Sequence, residues 1–188
     1  MGLLTGGNIA NVERVKIETR ETTPRTFVFQ TMTSFKFTAA LSNGTEVEQR
    51  IKNSLMGLIK TDDLVKGFDI EAVDERLIME VLTLVDGGTL TMGTGDHATE
   101  WTKYASPVAG SGVTRTAFDM TLYTSDRDTD GSAKEYYAWK FANCKGKPVD
   151  GSAEDGAFSK ITYNIESRPA TGESALEITR ADTLPAVA

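Results

Sequence analysis

The sequence predicts a mainly β protein, an antiparallel β-sandwich or barrel that packs one α-helix and carries long hairpins and loops. Three observations lead there. Apolar and polar residues alternate with a period of two in one segment after another, the mark of strands with one dry face. A single stretch, residues 74–86, switches to a helical period. The 188 residues include one cysteine and one histidine, so neither an internal disulfide nor a zinc cluster can hold the fold. The fold must stand on packing, and a chain of this length can bury about 70 % of its unfolded surface. We read residues 1–188 as a single domain.

Taken in order, residues 1–12 are rich in glycine and asparagine and read as a flexible start. Val15-Lys16-Ile17-Glu18-Thr19 alternates as a short strand, and residues 26–32 and 34–39 alternate again. Asn43-Gly44 between two alternating runs signals a tight hairpin. The returning segment 46–53 is charged on one face, and 55–64 is more apolar, interrupted at Gly57 by a bulge or turn. Phe68, Ile70 and Ala72 alternate up to Asp74. Beyond it Leu77, Ile78, Val81, Leu82 and Val85 fall on one helical face, with Asp74 as N-cap, Glu75 in the first turn and Gly87-Gly88 as the left-handed exit. Residues 89–112 carry Gly93, Gly95, Pro107, Gly110 and Gly112 without periodicity, and read as an irregular loop; loops this long are functional or disordered. Strands follow at 114–124 and 135–144 around a polar turn, then at 158–165 and 176–179, before a C-terminal tail at 180–188.

Charge and motifs exclude more than they assign. The net charge is −7 and the isoelectric point about 4.8, opposite to what phosphate neutralisation on nucleic acid requires. Five bases (Arg14, Lys16, Arg20, Arg25, Lys36) oppose three acids (Glu13, Glu18, Glu21) in the first forty residues, so the acidity lies in the rest. Such a split suits head-to-tail contacts between copies. No apolar run reaches the length of a membrane span, and the N-terminus shows no secretory signal or myristoylation pattern. Asp126, Asp128 and Asp130-Gly131 match half of a calcium loop, but Tyr137 stands where the bidentate glutamate belongs. His97 lies near Asp96 and Glu100 with no nucleophile motif. Hence the expectation is no enzyme: no catalytic residues, no cofactor and no metal. Tyr137, Trp139 and Phe141 share one strand face and read as core. Trp101 and Tyr104 remain; on a rival functional reading they would be the sugar-stacking platform of a soluble carbohydrate-binding β-sandwich.

Four stretches together resemble a known family: the Asn43-Gly44 hairpin leading into E-V-E-Q-R-I-K-N; K-T-D-D-L-V-K-G-F-D-I-E; R-L-I-M-E-V-L-T-L-V-D-G-G; and Y-N-I-E-S-R-P-A with a closing A-D-T-L-P. The chain is similar in these to the tail tube (major tail) proteins of long-tailed bacteriophages and of phage-tail-like particles. The resemblance implies a β-sandwich with one packed helix, closing into homohexameric rings that stack head to tail as a hollow tube. It implies a virion protein made in the bacterial host cytoplasm, with no membrane. Its partners would be further copies of itself, the tape measure, the tail terminator and the baseplate or tip, with DNA only as passing cargo. An acidic channel would repel phosphates and let DNA slide. On this resemblance Glu46, Glu48, Asp62 and Asp63 are the candidate lumen-facing acids, and Trp101 and Tyr104 the candidate inter-subunit contacts.

Overall fold

A computed structural model describes residues 9–52, 54–128 and 130–187 of the chain. Among these the strands are β1 (Ile9–Thr19), β2 (Thr26–Phe29), β3 (Met32–Ser42), β4 (Glu46–Ile51), β5 (Ser54–Lys60), β6 (Leu64–Asp74), β7 (Thr89–Met92), β8 (Trp101–Ala105), β9 (Phe118–Arg127), β10 (Ala133–Gly146), β11 (Asp150–Ser152), β12 (Lys160–Ser167) and β13 (Glu177–Ala181). One helix, α1 (Met79–Asp86), follows β6. Nine strands form one antiparallel sheet in the order β2-β1-β9-β10-β12-β6-β3, with β11 on β12 and β13 on β10. The pairs β4-β5 and β7-β8 stand apart as two-stranded ribbons.

The large sheet curls without closing. Phe37 of β3 reaches Trp139 and Phe141 of β10 at ring distances of 6.0 and 5.3 Å, although β6 and β12 lie between those strands in the sheet. The expected mainly antiparallel β fold with one packed helix therefore stands, and its closed-barrel form does not. The inward side chains are those that alternation selects: Val15 and Ile17, Ile70 and Ala72, Phe118, Met120 and Leu122, Tyr163 and Ile165. In β10 the alternation breaks. The register shifts between Phe141 and Cys144, and Asn143 takes a left-handed φ of 48°. The bulge turns both Phe141 and Cys144 inward, each fully buried. Asn143 is fixed by donating its N–H to Asp119 Oδ1 at 2.9 Å and its side-chain amide to the Arg168 carbonyl. Tyr137 is only half-buried and outside the core cluster, whereas Phe141 is central to it and Trp139 packs at its margin.

The helix buries Met79, Val81, Leu82, Leu84 and Val85 against β10 and β12. Two turns do not persist alone in water, so this packing makes the helix. It comes close because Gly146 has no side chain: a Cβ there would overlap the Val85 carbonyl. Its end is as expected, with Gly87 left-handed at φ 80° and its N–H donated to the Thr83 carbonyl. Its start is not. The helix begins at Met79 rather than near residue 74, Ile78 is the N-cap, and Glu80, not Glu75, occupies the first turn.

Asp74 is the last residue of β6, paired with Met32 and Ile161. The carboxylate that looks like a cap is fully buried, where it accepts the Arg76 N–H at 2.8 Å and the Thr31 hydroxyl at 2.9 Å. Burial, opposed by these bonds and by the nearby Arg76 charge, raises its pKa above the usual carboxylate range. An acid whose folded pKa is raised contributes stability that is complete below the unfolded value and lost as pH rises through the folded one. Asp74→Asn removes that dependence, so its melting temperature relative to wild type should be higher at pH 7 than at pH 4. Thermal melts at both values check this, and the opposite trend would mean that burial does not dominate at this site.

Two other expectations change. Ile9 to Val12, read as flexible, belong to β1, which pairs with β9 through a bulge at Asn11; residues 1–8 lie outside the described part. The tail begins later than residue 180, since β13 runs to Ala181, and the Pro185 carbonyl accepts a hydrogen bond from Arg14 of β1.

Candidate assembly surface

The β3-β6 ladder runs from Met32 opposite Asp74 to Ser42 opposite Leu64, and the chain then continues outward as the β4-β5 ribbon. Asn43-Gly44 is therefore not a hairpin turn. It joins two strands that run onward, and the chain reverses beyond Ile51, at Lys52 with its left-handed φ of 54°. Gly44 is needed for a different reason: a Cβ would overlap the Thr61 carbonyl oxygen. At this waist the Thr61 N–H donates to the Thr45 carbonyl at 3.0 Å. Thr45 N–H donates to Thr61 Oγ1, and Gly44 N–H to Asp63 Oδ1, both at 2.7 Å.

This arm exposes apolar side chains that the sheet does not cover. Val47 lies directly opposite Ile59, and they are 55 % and 69 % exposed. Leu58, opposite Glu48, and Met56, at the register shift, are exposed as well, as are Leu41, Leu64 and Val65 at the root. No described residue of β4 or β5 belongs to the core cluster. A two-stranded ribbon is marginal on its own, and contiguous exposed apolar surface marks an interaction site. Glu46, Glu48, Asp62 and Asp63 all lie on this arm and are exposed. Glu48 bonds Arg50 Nε at 2.6 Å, and Asp63 helps to close the waist.

Residues 89–112 are not one irregular loop. β7 and β8 pair from Thr89 opposite Ala105 to Met92 opposite Trp101, and Gly95–His97 form a single 3-10 turn between them. The ribbon is tied to α1 by Tyr104, whose hydroxyl donates to Asp86 Oδ2. Burial and the Asp86 charge push that phenol upward. Arg115, which carried no sequence signal, donates its Nε to the Val85 and Asp86 carbonyls at 3.2 and 3.0 Å, satisfying the helix end. Tyr104, half-buried, thus ties β8 to the helix. Tyr104→Phe leaves the buried Asp86 without its phenol donor and should cost about 2 kcal/mol, seen as a lower denaturation midpoint. An unchanged midpoint would show that the ribbon is not anchored there.

Trp101 is 51 % exposed. With Phe27, Leu77, Ile78, Met79 and Val187 it lines a groove of about 620 Å³ between β2 and the start of α1. Trp101 lies opposite Met92 and Tyr104 opposite Leu90, and a register shift between them offsets their odd spacing, so both stand on one face of the ribbon. Tyr104 is tied to Asp86 while Trp101 stays exposed. His97 Nδ1 lies 3.0 Å from Glu100 Oε2 on the surface. Asp130 accepts both the N–H and the hydroxyl of Ser132, a local turn. No group of three metal-ligating side chains converges among the described residues.

No protein-family model and no curated protein sequence matches the chain. Among solved structures, a chain of the cryo-EM, six-fold symmetrised baseplate of the anti-feeding prophage aligns over 94 % of this chain and 97 % of that one, with a TM-score of 0.42 and 8 % identity. An overlap this loose assigns no function.

Proposed function

We propose that this chain is a structural subunit of a phage tail or phage-tail-like particle, one that joins copies of itself into rings of six, stacked head to tail as a hollow tube. One observation carries the reading. An arm with apolar residues on both faces extends from the sheet, and no described residue of its own chain covers it; association is what buries such surface. The sequence resemblance supplies the ring and the tube. On this reading the acidic balance lines a conduit that repels DNA phosphates, the chain is a virion protein and not an enzyme, and further tail components cap or extend the stack. Negative-stain microscopy and sedimentation over a concentration series test it. Rings or hollow tubes that grow with concentration are the expected result, and a strictly monomeric protein throughout would refute the reading.

A further inference from the structure

The arm and the Trp101 groove sit at opposite ends of one ladder. The groove is walled by residues 26–31, just before β3, and 76–81, just after β6. It therefore lies at the Met32–Asp74 end, while the arm leaves from the Ser42–Leu64 end. Ten residue steps of strand separate those ends by about 33 Å. The β4 strand has 6 residues and spans about 20 Å. Folded back along the sheet, the Val47–Ile59 pair, five residues from Ser42, would stand only about 17 Å along it and could not reach the groove of its own subunit.

The two features match chemically. The groove offers Phe27, Leu77, Ile78 and Trp101, of which Leu77 and Trp101 are 46 % and 51 % exposed. The arm offers the Val47–Ile59 pair. Among the described residues β2 pairs with β1 alone, so its outer edge carries free backbone groups, and so do both edges of the arm. Apolar side chains in pockets beside an added strand are the ingredients of β-augmentation. Charges fit as well. Arg76 and Glu80 on the groove and Glu46 and Lys60 on the arm are exposed and form no salt bridge among the described residues, leaving both signs available on each side.

We infer that the groove between β2 and α1 is the receptor for the β4-β5 arm of a second copy of this chain. The inference rests on the self-assembly reading and assigns its joint. Because donor and receptor are different surfaces at opposite ends, the contact is heterologous and runs head to tail from copy to copy.

Ile59→Cys and Leu77→Cys test it, both at exposed positions, with melting temperatures near wild type as the control for folding. Cys144 stays silent because it is fully buried and its thiol is pushed up to about 12. Mild oxidation of the double variant should give a covalent ladder of dimers, trimers and longer species on a denaturing gel, while each single variant stays monomeric. Tubes in the microscope without a ladder would overturn the receptor and leave the assembly reading standing. Covalent dimers from Ile59→Cys alone would replace the joint by symmetric arm-to-arm pairing. Monomer by every measure would overturn both.

Discussion

Leu82→Asp is expected to leave no folded population at room temperature. Leu82 is 5 % exposed at the centre of α1, among Val81, Leu84 and Val85, which are equally or more deeply buried. A carboxylate there loses the leucine's burial and has no partner to offset its desolvation. Together these cost about 5 kcal/mol or more, comparable with the whole stability of an ordinary domain. The helix is short and exists through packing, so its loss also exposes the faces of β10 and β12 beneath it. Circular dichroism and thermal melts should show no cooperative transition, while Lys66→Ala, exposed on β6, should stay within about 0.5 kcal/mol of wild type. A normal melt for Leu82→Asp would mean that α1 does not seal the core.

How far the sequence reveals this molecule depends on where the deciding contacts lie. Alternation in β1, β6, β9 and β12 is local, and so is the helical face of α1, and these were legible. The start of α1 was not, because Asp74 has a cap's chemistry but is held by Thr31, 43 residues away, in a buried pocket. Asn43-Gly44 has the composition of a turn, yet its glycine answers a close approach of Thr61 that only the folded arm creates. The β7-β8 ribbon lacks alternation, being fixed through Tyr104 to Asp86. Residues 101 and 104 looked alike as interface anchors, and folding separates them: one remains at the surface and the other is tied to the helix. The apolar character of β5 was legible, but its exposure was not, since period two does not say whether anything covers a face.

That exposure sets the largest effect expected on assembly. Ser42 pairs directly with Leu64, so residues 43–63 can be replaced by Asn-Gly, a two-residue loop whose twist suits antiparallel neighbours. The shortened chain loses no described member of the core cluster and sheds Val47, Met56, Leu58 and Ile59, all exposed. At about 2–4 °C per kcal/mol for a domain of this size, its melting temperature should stay within a few degrees of wild type. Assembly should vanish altogether, with monomer in sedimentation at concentrations where the intact chain forms particles. The pairing of those two results matters. A large fall in melting temperature would show that the arm packs on its own sheet and is not free to act between subunits. Intact tubes from a stable, armless protein would place the joint elsewhere, leaving the apolar ribbon without the role that its exposure implies.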